Sequence, residues 1–162
     1  LYDAFPQAGK FSAGNEVKAF SWKGHKIGIM ICYEDIMVDF TGKLADLSPN
    51  VIINVTNDAW FGRTAEPWLH LALAAFRAVE NRLTLVRATN TGISAFIDPT
   101  GRLVGATKMV DAETLTGEVP MMQGGTLYGV IGNMFAWLLF LGLVAHAAYG
   151  WWQRKQAKEG SS

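Results

Sequence analysis

The stretch Lys26-Ile27-Gly28-Ile29-Met30-Ile31-Cys32-Tyr33-Glu34 decides how this chain is read. Residues 26–32 form a short, nearly unbroken apolar run, the pattern of a strand buried on both faces. A second run, 51–56 (Val-Ile-Ile-Asn-Val-Thr), follows it. Between the two, residues 35–47 can hold a helix, closed by the breaker Ser48-Pro49-Asn50. Strand, helix and strand at this spacing make a βαβ unit, which implies parallel pairing. Cys32 then stands at the end of a parallel strand, where α/β folds present reactive groups to a crevice.

Working outward, Glu66-Pro67 offers a helix start, because Pro is tolerated in a first turn. Leu69, Ala72, Leu73, Phe76 and Val79 predict the apolar face of that helix, which runs to about Arg82. Residues 84–89, 93–97 and 102–106 read as successive strands. They are joined by turns at Asn90-Thr91-Gly92 and Asp98-Pro99-Thr100-Gly101. The fold class is α/β, with an antiparallel side to the sheet.

From 119 through 153 there is no Asp, Glu, Lys or Arg, and residues 128–152 are almost continuously apolar. About 20 apolar residues suffice to cross a bilayer as a helix. Tyr128 at one end and Tyr149, Trp151 and Trp152 at the other suit interfacial belts, and Arg154, Lys155 and Lys158 follow. The positive-inside tendency places that end in the cytoplasm and the α/β domain outside. His146 falls near the cytoplasmic end, where an imidazole needs no function. The expected organisation is an α/β domain over 1–126, a transmembrane helix over 127–153 and a cytoplasmic tail over 154–162.

Composition narrows the function classes. Hydrophobic residues make up 50% and charged residues 17%, too apolar for a disordered chain. With 14 basic and 14 acidic residues the formal charge is zero, and no basic stripe precedes the C-terminus, which argues against nucleic-acid binding. One cysteine excludes an intrachain disulfide and a multi-cysteine zinc site. No metal or cofactor is expected. The opening at Leu1, without a signal-peptide pattern, reads as the middle of a longer protein, and Gly160-Ser161-Ser162 as a linker.

A lone cysteine is more often a packed thiol than a reactive one. Here its position favours chemistry, but a thiolate wants a nearby base or cation, and the adjacent Glu34 is an anion that opposes it. A bidentate guanidinium would relieve that opposition, so Glu34 is expected to pair with Arg77 and to orient the Cys32 loop. After the second parallel strand comes Asn54-Val55-Thr56-Asn57-Asp58-Ala59-Trp60-Phe61-Gly62, on the same sheet edge as Cys32. Asn57, Trp60 and Phe61 are its candidate substrate-binding residues: a hydrogen-bonding group and an apolar wall.

Four segments together carry a resemblance: Ile31-Cys32-Tyr33-Glu34, 54–62, Arg77-Ala78-Val79-Glu80-Asn81, and Arg87-Ala88-Thr89-Asn90-Thr91-Gly92-Ile93-Ser94-Ala95. In this order they resemble the second half of the nitrilase-type domain of the bacterial apolipoprotein N-acyltransferases, over about Phe11 to Trp152. The first and third occur across the wider nitrilase superfamily; the Trp-Phe-Gly loop with a closing membrane span points to the acyltransferase branch. The resemblance implies an αββα domain and a catalytic Glu, Lys and Cys. Cys32 would take an acyl group from a phospholipid as a thioester. The N-terminal amine of a diacylglyceryl lipoprotein would then accept it. The Tyr33 N–H and the lysine would hold the oxyanion, and Tyr33 and Glu34 complete the candidate catalytic set. The family glutamate and lysine precede the cysteine at long range, and Lys10, Lys18, Lys23 and Lys26 stand too close to be that lysine. Both are expected from the remaining N-terminal part of the same enzyme, in the bacterial inner membrane with the domain periplasmic. The alternatives are a nitrilase-superfamily amidase, with water in place of the amine, and a catalytically incomplete membrane-anchored fragment.

Overall fold

A computed structural model describes residues 14–109 and 111–159 of the chain. Leu1, Lys10, Phe11 and the closing Gly160-Ser161-Ser162 lie outside the described residues. The chain divides into two compact units, 1–124 and 125–162.

In the first unit six strands form one sheet in sequence order: β1 (Ala19–Trp22), β2 (His25–Ile31), β3 (Val51–Thr56), β4 (Thr84–Thr89), β5 (Ala95–Ile97) and β6 (Leu103–Ala106). β1 and β2 form a hairpin whose turn residues, Lys23 and Gly24, both have positive φ. β2, β3 and β4 are parallel, as crossover connections require, and β5 and β6 return antiparallel. The crossovers are α1 (Val38–Asp46) and α2 (Glu66–Asn81).

Alternation along the strands sets one face against the helices. Met30, Ile52, Leu85 and Ile97 meet Leu44 of α1 and Leu71, Ala74 and Ala78 of α2 in the core. Gly28 lets α1 approach closely, since a Cβ there would lie 3.0 Å from Leu44 Cδ2. The other face carries Ile31, 62% exposed, and Val55, 41% exposed. Among the described residues the central strands fully bury one face and leave the other half-buried or exposed, not buried on both faces as their apolar runs led one to expect. That expectation failed because strand composition reports what a face can bury against, not whether the partner layer lies in the same segment.

α2 corrects a second expectation. Leu69, Phe76 and Val79 are exposed, whereas Pro67, His70, Leu71, Ala74, Arg77, Ala78 and Asn81 are buried. This inner stripe also recurs at helical spacing, but it contains three polar residues that a hydrophobicity count passes over. Each has at least one polar partner, although Arg77 Nε and Nη1 are buried without one. Asn81 donates to the Arg77 carbonyl (2.8 Å), Arg77 pairs with Glu80 (2.8 Å), and His70 lies between two carboxylates.

The second unit contains α3 (Leu127–Ile131) and α4 (Met134–Glu159), separated at Gly132, where φ is +51°. Met134–Gln156 within α4 is, among the described residues, the one helical stretch long and apolar enough to cross a membrane. The apolar run 128–152 is thus two helices, because Gly132 adopts a conformation that ends the first.

Candidate active site

β2 ends at Ile31, and Cys32 enters the left-handed region with φ +53°. A β-carbon makes that conformation unfavourable; Lys23, Ser48 and Arg82 share it at turns and a helix end, and at Cys32 it falls where β2 bends out of the sheet. A 3-10 turn, Cys32–Asp35, follows directly. Glu34 folds back so that its Oε2 accepts from the Ile31 N–H (2.7 Å) and closes the turn. It does not meet Arg77, whose partner is Glu80. The expected pair fails because a backbone donor three residues away already engages Glu34, while Arg77 has a carboxylate one turn along its own helix.

The residue after the thiol is clamped on three sides. The Tyr33 ring stacks on the His70 imidazole (centroids 4.6 Å, planes 20° apart) and meets Phe61 edge-on at 5.9 Å. Its hydroxyl donates to Glu66 at the start of α2, and burial, followed by that carboxylate, pushes the phenol pKa well above its ordinary value.

Beneath the turn lies a charged cluster closed to solvent: Asp35, Asn54, Asp58, His70 and Arg87 are all 2% exposed or less. Asp35 receives His70 Nε2 (2.8 Å) on one oxygen and Arg87 Nη1 (2.5 Å) on the other. Asp58 faces His70 Nδ1 (3.1 Å) and Arg87 Nη2 (3.1 Å) in the same way. Asn54, paired in register with Arg87, accepts from Nη1 (2.9 Å) and donates through Nδ2 to the Cys32 carbonyl (3.1 Å). Both imidazole nitrogens face carboxylates, an arrangement that favours the doubly protonated imidazolium. Two anions and two cations then balance, the condition under which such a cluster tolerates burial.

Burial works against the charged imidazole. The hydrogen bond to Asp35 and the charges of Asp35 and Asp58 overcome both burial and Arg87 repulsion, leaving the His70 pKa above its ordinary 6.5. A group with a raised folded pKa stabilises the fold fully below its unfolded value and loses that contribution as pH rises through the folded value. We therefore expect thermal stability to decline with pH above about 6.5, and His70→Gln to remove that part of the slope; melts across the range check both.

Gly92 abuts the same cluster. A Cβ there would lie 2.3 Å from Asp58 Oδ2 and 2.9 Å from its Cγ. Asp58 is held by His70 and Arg87 and cannot yield freely. Gly92→Ala is expected to cost about 1–3 kcal/mol, read from denaturant unfolding; unchanged stability would mean that Asp58 has room to move.

The other sequence candidates sit at the same sheet edge, since Ile31 pairs with Val55. Asn57 is spent on its own turn, accepting from the Ala59 N–H (3.0 Å) at the head of a second 3-10 turn, Asp58–Phe61. Trp60 is 83% exposed, while Phe61 packs on Tyr33. Sequence reasoning missed the cluster itself. Asn54 and Arg87, polar residues in the middle of otherwise apolar strands, were the available signal. Among the described residues no group of three or more His, Cys, Asp or Glu could hold a metal ion.

A thiol at a strained strand end, over a sheet of this topology, defines a class, and the chain belongs to it: the carbon-nitrogen hydrolase family, whose pattern matches residues 5–127. Within that class it is similar to apolipoprotein N-acyltransferases. That of Geobacter metallireducens is 39% identical over 140 residues, and that of Pasteurella multocida 38% identical over 141. Each match covers 86% of this chain and 27% of the relative, so the chain spans about a quarter of the length of these curated relatives. Among solved structures, the fold resembles the glutamine-dependent NAD+ synthetase of Acinetobacter baumannii (TM-score 0.58, 16% identity, 64% of this chain and 21% of that one). It also resembles a Nesterenkonia amidase of the nitrilase superfamily (TM-score 0.52, 21% identity, 65% and 42%).

Proposed function

We propose that this chain is the thiol-bearing part of a membrane N-acyltransferase in which Cys32 carries a fatty acyl group. The thiolate attacks a phospholipid ester carbonyl, the bond to the glycerol oxygen breaks, and that oxygen leaves with the thiol proton. The N-terminal amine of a diacylglyceryl lipoprotein then attacks the thioester, the C–S bond breaks, and the amine proton returns to sulfur. The Tyr33 N–H and a lysine from the remaining N-terminal part of the enzyme stabilise the oxyanion, and a glutamate from that part is the general base. Residues 1–126 form the catalytic segment, 127–153 a membrane anchor and 154–162 a cytoplasmic tail, with the thiol on the periplasmic side of the inner membrane. The exposed apolar sheet face bearing Ile31 and Val55 is where the remaining part packs.

The observation that carries this reading is the left-handed Cys32 at the end of β2, in a chain whose curated relatives are named N-acyltransferases. An amidase of the same fold has been solved with acrylamide added at its active site cysteine, which supports a thiol nucleophile on this scaffold. Incubating the complete enzyme with phospholipid and no acceptor should leave a hydroxylamine-sensitive acyl adduct on Cys32. Adduct at another residue would overturn the reading; rapid loss of the adduct to water alone would favour the amidase.

A further inference from the structure

We infer that Asn54 is a positioning residue for the oxyanion site, resting on the reading of Cys32 as the nucleophile. The Cys32 carbonyl and the Tyr33 N–H belong to one planar trans peptide, so they point in opposite directions. Asn54 Nδ2 holds that carbonyl (3.1 Å) toward the buried cluster. The Tyr33 N–H is thereby aimed away from the cluster, on the side where an acyl oxygen would develop charge. Asn54 cannot swing to release the carbonyl, because its Oδ1 is held by Arg87 (2.9 Å), itself locked between Asp35 and Asp58. Tyr33 cannot roll about its own axis either, clamped by His70, Phe61 and Glu66. The amide is fixed at both ends before any substrate arrives, and nothing need reorganise when the oxyanion forms.

This argument separates two reactions of the same thiol. Acylation passes through a tetrahedral oxyanion; alkylation by iodoacetamide displaces iodide at a saturated carbon and forms none. In the complete enzyme, Asn54→Ala should slow single-turnover acylation of Cys32 by about tenfold or more. The KM for the phospholipid and the rate of Cys32 alkylation should stay within about twofold of the parent. A role confined to folding would lower both rates together, and that result overturns the inference, as does an unchanged acylation rate. Should Asn54→Ala fail to fold, Asn54→Ser keeps a small polar group too short to reach the Cys32 carbonyl and is read the same way. Cys32→Ala in the same assay keeps the two ideas apart. If it still acylates, the nucleophile reading fails; if it is inert while the Asn54 variants acylate normally, only the role of Asn54 fails.

Discussion

Arg87→Met should lower stability by about 3–5 kcal/mol. The substitution preserves length but removes the cation that bridges Asp35 and Asp58 at 2.5 and 3.1 Å. His70 alone then faces two carboxylates with no access to water, and the cluster carries an uncompensated negative charge. Asn54 also loses the donor to its Oδ1. Equilibrium unfolding measures the cost, and a double-mutant cycle with Asp35→Asn apportions it. The double variant removes one charge of each sign and should be less damaged than the sum of the singles. A loss below about 1 kcal/mol is the size of an exposed ion pair and would mean that the cluster is solvated.

The largest effect on activity belongs to Cys32→Ser. A serine hydroxyl occupies nearly the same volume but ionises far less readily than a thiol, and a carboxylate base does not make up the difference. Turnover should fall by on the order of 10⁴-fold or more, with phospholipid KM little changed and the fold intact. Turnover at the parental level would show that Cys32 is a packed thiol.

The sequence made five of the six strands, the parallel pairing of β2 with β3, and the place of Cys32 at a strand end readable, because apolar runs and turn residues are local signals; β1 was not read. It was weaker wherever a residue's role depends on what lies across the sheet. Glu34 and Arg77 looked like natural partners, yet each had a nearer group within four residues. Leu69, Phe76 and Val79 looked like the inner face of α2, but His70 had to face inward to reach Asp35 and Asp58, and that orientation carried the apolar stripe outward. Asp35 and Asp58 are 23 residues apart in sequence and His70 and Arg87 lie on different elements, so no window along the chain unites them. The pairing of Asn54 with Arg87 across β3 and β4, and the packing of His70 from α2, bring the cluster together.

The left-handed backbone at Cys32 sets stability and chemistry against each other at one position. By its φ of +53° the site is suited to glycine, the residue that adopts this conformation without a steric cost. The reaction proposed here needs a side chain with sulfur. Drift that rewards only a sturdier fold would favour a residue with no thiol at all, and the protein would grow more robust as it fell silent. Under the reaction proposed here, the fold gives up backbone comfort at one bend in order to hold a thiol there.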